Sequence, residues 1–180
     1  MKIRRIVTGH DAQGKSVFVS DGDAPRAQDF VHYPGHAAAQ VWSADAPPVV
    51  PHGGADPTAS RGSLIPPPGG NSLLLVDFPP DAVMRGAADP AAGIAELLAA
   101  LPGLMETFEP SSPGMHTSDT VDYAIVLSGE IWLELHDGAV KLVKAGDVVV
   151  QNGTRHAWRN RSEQIVRVAF MMTGARRMVA

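Results

Sequence analysis

Downstream of Val121 the chain alternates short apolar runs with turn residues. VDYAIVL, EIWLELH, AVKLV, DVVVQ, HAWRN and QIVRVAFMM follow one another, and Ser128-Gly129, Asp137-Gly138, Ala145-Gly146 and Asn152-Gly153 separate the first five. Period-2 alternation with turn signals at short, even spacing predicts antiparallel strands closing into a barrel or jelly roll. In VDYAIVL that period puts Asp122, Ala124 and Val126 on one face and Tyr123, Ile125 and Leu127 on the other. The first set is expected to face the interior, and Tyr123 to pack under the N-terminal arm or a partner subunit. In HAWRN, His156 and Trp158 share a face.

Upstream the pattern thins. Arg4 to Thr8 and Lys15 to Ser20 read as strands around the turn-rich HDAQG, AQVWS around Trp42 as another, and SLLLVDF as a buried strand. Ala46 to Asn71 carries too many prolines for a regular element and reads as a long arm. One helix is predicted from about Asp89 to Leu101, with Asp89 as N-cap, Pro90 at the first helical position and Pro102-Gly103 as the stop. The expected fold is all-β: residues 1–71 form an extension of strands and Pro-rich loop packed on a barrel of residues 72–180, one structural domain overall. There is no internal repeat.

Composition narrows the function classes. A net charge of −4 offers no basic face for nucleic acid or anionic lipid, and 44% hydrophobic residues can fill a core. The absence of cysteine excludes disulfides, thiolate nucleophiles and cysteine metal sites. No apolar run reaches the ~18 residues of a membrane span, and MKIRRIVTGHDAQG lacks the apolar centre of a signal peptide. A cytoplasmic protein is expected, with neither nucleic acid nor membrane as a partner. Val17, Phe18 and Val19 in the first hairpin suit edge pairing, so a homodimer is expected as well.

The candidate chemistry sits in PGMHTSDTVDYAIVLSGE and GDVVVQNGTRHAWRN. A carboxylate at Asp122 among small apolar neighbours is costly unless a metal or a hydrogen-bond partner meets it. His116, six residues earlier, and His156 can reach the same cavity, giving two imidazoles and a carboxylate, a set that suits a catalytic metal.

These two segments resemble the paired motifs of the cupin superfamily, whose barrel is a double-stranded β-helix. His116 matches the first histidine of the first motif, Ser118 stands in the slot of the second, Asp122 replaces the glutamate, Gly129 closes the motif, and Pro110 occupies the opening glycine slot. Gly146, Gly153, His156 and Asn160 match the second motif, with Gln151 in its proline slot and a loop one residue shorter. The resemblance implies a double-stranded β-helix and a divalent metal (Fe, Mn, Ni or Zn) held by His116, Asp122 and His156. It further implies catalysis through Asp122 and His156 on a small oxygen-bearing substrate (dioxygenase, dehydratase or isomerase type), with Ser118, Gln151 and Trp158 lining the cavity. Two other readings stand beside it. One is a metal-free barrel that only binds a small ligand; the other is acid–base chemistry between Asp122 and His156. At the level of single residues, the histidines could equally be mouth residues bonded to backbone, Asp122 a structural acceptor and Trp158 a core wall.

Overall fold

The computed structural model describes residues 1–52, 54–59 and 62–178. Gly53, Ser60 and Arg61, inside the Pro-rich stretch, and Val179 and Ala180 lie outside the described residues. The strands are β1 (Arg4–His10), β2 (Ser16–Asp23), β3 (Arg26–Asp29), β4 (Ala37–Ala44), β5 (Asn71–Phe78), β6 (Thr120–Ser128), β7 (Glu130–Glu134), β8 (Val140–Lys144), β9 (Val148–Asn152), β10 (Ala157–Arg159) and β11 (Val166–Gly174). Helices α1 (Asp81–Arg85) and α2 (Pro90–Ala100) fall between β5 and β6. A six-stranded sheet runs β3-β4-β5-β11-β6-β9, a three-stranded sheet β10-β7-β8, and β1-β2 form a separate hairpin. All these pairings are antiparallel.

Between the two larger sheets lies an apolar cluster. Ala124 and Val126 of β6 and Val166 and Val168 of β11 pack on Ile131 and Leu133 of β7 and Val143 of β8. Period-2 burial along β6 explains why this stretch takes strand form: alternate side chains leave water and their neighbours stay half-buried or exposed. This is the double-stranded β-helix expected from the motifs.

A second cluster forms where Leu97 and Leu101 press Phe30, Tyr33 and Leu64 against Leu74, Val76 and Met172 on the inner sheet face. The Asp89 carboxylate accepts from the Ala92 amide at 3.0 Å and caps α2 as its sequence predicts. Gly93 lets the helix approach closely, since a Cβ there would stand 2.7 Å from the Tyr33 ring. Glu96 accepts the amides of Val31 and His32 at 2.8 and 3.1 Å, tying the helix to the β3–β4 turn.

Two features differ from the sequence reading. A second helix, α1, occupies Asp81–Arg85, so the single expected helix becomes two; five residues are too few for a periodic apolar stripe to show. Polar RAQD forms β3, unrecognised because its strand character comes from pairing with β4 and not from its own side chains. From the segment expected as an extension, β3 and β4 hydrogen-bond into the main sheet, with Ala37↔Asp77 through Ala44↔Asn71 in register against β5.

Candidate functional site

From His116 onward, even-numbered residues turn inward: His116 is half-buried, and Ser118, Thr120, Asp122, Ala124 and Val126 are buried. The first part of this stripe is polar and the second apolar, so the polar chemistry is confined to one end of the barrel. Ser118 Oγ and Thr120 Oγ1 lie 2.7 Å apart, and the Thr120 hydroxyl donates in turn to the Asp122 carboxylate. Asp122 stands in register between Gln151 of β9 and Met172 of β11, both buried. The Gln151 amide donates to the Thr154 hydroxyl.

His116 and His156 face each other as an isolated antiparallel bridge, with N–H···O bonds of 2.9 and 3.0 Å exchanged between their backbones. Their ring centroids are 4.2 Å apart and tilted by 51°. Each Nδ1 is held by a carbonyl two residues earlier, Gly114 O at 3.1 Å and Thr154 O at 2.9 Å. A carbonyl can only accept, so Nδ1 carries the proton and Nε2 keeps its lone pair. Burial, and for His116 the neighbouring imidazole, favours the neutral rings: His116 is pushed down to about 4 and His156 is also lowered. Phe108 stacks on His116 at 4.4 Å and 15°, while Trp158 stands edge-on to His156 at 6.3 Å.

Two polar atoms inside this shell lack a protein partner: Oδ1 of Asp122 and Nε1 of Trp158 are buried and unbonded. Isolation from water pushes the Asp122 carboxyl up to about 6. Trp158 also touches Phe170, whose cross-strand neighbour on β6 is Ala124, two residues along from Asp122.

Around the rim, Arg155 forks onto Glu109 at 2.6 and 2.7 Å. Arg177 joins the two motif segments, bonding Asp119 Oδ1 at 2.5 Å, Ser118 O at 2.9 Å and Gly153 O at 3.1 Å. Gly153 has φ +57°, and a Cβ there would meet Ser118 O at 3.2 Å, which accounts for a glycine at this crossing. Asn160 is structural: its amide donates to Phe78 O and Gln164 O at 2.8 and 2.7 Å, and its Oδ1 accepts from Ser162. A cavity of about 310 Å³ lined by residues including Arg26, Gln40, Phe30, Leu64 and Leu101 lies elsewhere, and no member of the histidine pair borders it.

The residues expected at the site are thus brought together only in part. His116, His156 and Trp158 adjoin one another, and Ser118, Asp122 and Gln151 share the inner wall. Among the described residues no group of three His, Cys, Asp or Glu side chains placed to hold an ion is found. Asp122 is one methylene shorter than the motif's glutamate and is already tethered to Thr120. The uncommitted donors beside one another are thus the two histidine Nε2 atoms, with Asp122 Oδ1 unbonded further along β6. Sequence reasoning missed Thr120 and Phe108. The parity of the inward stripe contained the signal for Thr120; nothing marked Phe108, which reaches His116 from a separate segment.

Residues 104–172 match the family model of the cupin domain. The chain is 33% identical over 164 residues to the phomopsin biosynthesis cluster protein C' of Diaporthe leptostromiformis, covering 88% of this chain and 70% of that protein. It is 26% identical over 163 residues to the cupin-domain-containing oxidoreductase srdB of Neurospora crassa, covering 89% and 67%. Among solved structures it is similar to the Cnp3 cupin domain of Schizosaccharomyces pombe, at 12% identity and a TM-score of 0.46 over 97% of this chain and 89% of that one. This chain belongs to the cupin superfamily. Its curated relatives include cupin-domain oxidoreductases and proteins of fungal biosynthesis clusters.

Proposed function

We propose that this cupin is an enzyme acting on a small oxygen-bearing organic molecule held inside the barrel, and that its core step is a proton transfer. The observation that carries this reading is that each motif segment holds one buried, unbonded polar atom, Asp122 Oδ1 in the first and Trp158 Nε1, on a ring edge-on to His156, in the second. A buried donor and a buried carboxyl oxygen without partners each cost on the order of 1–3 kcal/mol, and a bound substrate oxygen relieves both. The indole N–H positions that oxygen. Asp122, whose proton is retained to higher pH than an ordinary aspartate's, gives a proton to it or takes one back. The uncommitted Nε2 of His116 or His156 is the complementary base for an acidic C–H or O–H, and Ser118 and Thr120 orient the carboxyl. Dehydration and isomerisation both fit such a pair of groups.

Deuterium wash-in tests the reading. A panel of small hydroxylated and carbonyl aromatics is incubated with the protein in D₂O and followed by mass spectrometry. Exchange catalysed by the wild type and lost in Asp122→Asn and His156→Gln supports it. Absence of exchange across the panel, with binding retained, leaves a ligand-binding cupin instead.

A second reading is favoured by the relatives named as oxidoreductases: metal-dependent oxidation with the two free Nε2 atoms among the ligands. Stoichiometric Fe, Mn, Ni or Zn in protein purified without chelator, lost in His156→Ala, would select it.

A further inference from the structure

On the inner face of the six-stranded sheet, one row of cross-strand neighbours runs from the edge strand to the barrel. It comprises Arg26 of β3, Gln40 of β4, Leu74 of β5, Phe170 of β11 and Ala124 of β6. Four strand spacings of ~4.8 Å put about 19 Å between its two ends. Ala124 belongs to the apolar cluster between the sheets, whereas Arg26 lines the cavity of about 310 Å³. Phe30, Ala38, Leu64 and Leu74 wall that cavity, and Ala100 and Leu101 border it from the end of α2. Among the described residues that line it, Arg26 is the only charged one.

A buried polar chain holds this cation in place. Gln40 is only 1% exposed, on the same strand face as Ala38 and next to Leu74. Its Nε2 donates to Ser72 Oγ at 2.9 Å, and its Oε1 accepts from Nη1 of Arg26 at 2.8 Å. Arg26 Nη2 also reaches Gly62 O at 3.4 Å. An amide in an apolar layer costs free energy unless both its ends are paired. A leucine at position 40 would fill the layer without that requirement. What the Ser72–Gln40–Arg26 chain secures is the place of the guanidinium, which supporting hydrogen bonds hold ready for a ligand.

The geometry points to this cavity as a second ligand site, apart from the histidine pair, that takes a small monocarboxylate with an apolar body. Its volume lies at the lower end of the ~300–1,000 Å³ of small-molecule sites, which suits a short-chain or single-ring acid. The hydrocarbon walls accept the body of such a molecule. A guanidinium presents the planar fork that matches a carboxylate, and apolar surroundings strengthen its pull on an anion. A dicarboxylate or a phosphate monoester brings further negative charge that no other lining residue meets. The carbonyl end of α2, with its negative partial charge, disfavours an anion on its own side and leaves the carboxylate to β3. Nothing in this site depends on Asp122 or the histidines, so it stands apart from the proton-transfer reading.

Calorimetric titration of the intact chain with octanoate, and with 1-octanol as the uncharged counterpart, tests the proposal. Octanoate is expected to bind one-to-one with a dissociation constant below about 1 mM. Octanol is expected to bind at least ~10-fold more weakly, as loss of a hydrogen bond to a charged group implies. Arg26→Gln should remove that preference. Ala100→Met keeps a good helix former at the end of α2 and fills the cavity. It should abolish octanoate binding with far-UV circular dichroism unchanged, whereas Asp122→Asn, in the barrel, should leave binding as it is. A wild-type protein that shows no saturable octanoate binding overturns the proposal, as does one with equal affinity for octanoate and octanol. Binding that survives Ala100→Met, or that disappears in Asp122→Asn, puts the acid elsewhere and overturns it too.

Discussion

Replacing Asp122 by asparagine separates the cost of the buried carboxyl from its use. The side chain is 6% exposed, one of its oxygens has no protein partner, and its pKa rises from 3.8 to about 6. A folded-state pKa above the unfolded value means that between about pH 4 and 6 the native protein keeps a proton the unfolded chain has released. Stability therefore falls as pH rises through this window, and the penalty is complete above about pH 7. At about 1.4 kcal/mol per unit, the shift of roughly two units amounts to ~3 kcal/mol. Asp122→Asn cannot ionise, so its stability relative to wild type should improve by about that amount between pH 4 and pH 8. The amide introduces its own desolvation cost, but that cost is independent of pH and cancels in the comparison. Urea unfolding of both proteins at half-unit pH steps measures the difference directly, and wild-type titrations elsewhere in the fold cancel as well. The same variant is predicted to lose proton exchange on substrate, so a gain in stability accompanies a loss of activity. A wild-type-minus-variant difference that stays flat across this range would refute the reasoning, since it would mean the carboxyl is solvated or paired.

Two further predictions concern the frame around the site. Asn160→Ala strips donors from two carbonyls, Phe78 O and Gln164 O, and the acceptor for Ser162; at ~1–3 kcal/mol per unsatisfied buried group it should cost roughly 3–5 kcal/mol. That corresponds to a fall in Tm on the order of 10 °C for a chain of this size, which calorimetry will show; a fall under about 3 °C would deny the residue its bracing role. His36 is packed 4.7 Å from Phe30, its Nδ1 is buried and unbonded, and its pKa is pushed down to about 4 by burial, against a partial pull from Asp77 and Glu96. The unfolded chain takes up this proton first, so the stability is intact above about pH 7 and is lost as pH falls toward 4, by up to ~3 kcal/mol. His36→Phe should flatten the acid limb of the Tm–pH curve, and an unchanged limb would shift the acid sensitivity to His116.

The strand rhythm from Val121 onward, the inward face of β6 and the capped helix α2 were legible in the chain's own order of residues. All of these follow from local periodicity or from short-range turn and cap chemistry, which neighbouring residues settle among themselves, whereas the cupin barrel was legible only through the resemblance of the two motif segments. The same segments also identified His116 and His156 as residues that meet. The rest was fixed by contacts between segments far apart in the chain. The fold put Asp122 beside Thr120, between Gln151 and Met172, because cross-strand register and not motif decides a side chain's neighbours. Phe108, arriving through a loop, and Arg177, arriving from the C-terminal end, enter the site by long-range contacts that no window of sequence contains. β3 is a strand only because β4 lies next to it, and the cavity beside Arg26 exists only once β3, β4 and the end of α2 are brought together. Period-2 patterning tells which residues share a face, whereas pairing across distant strands decides what that face becomes.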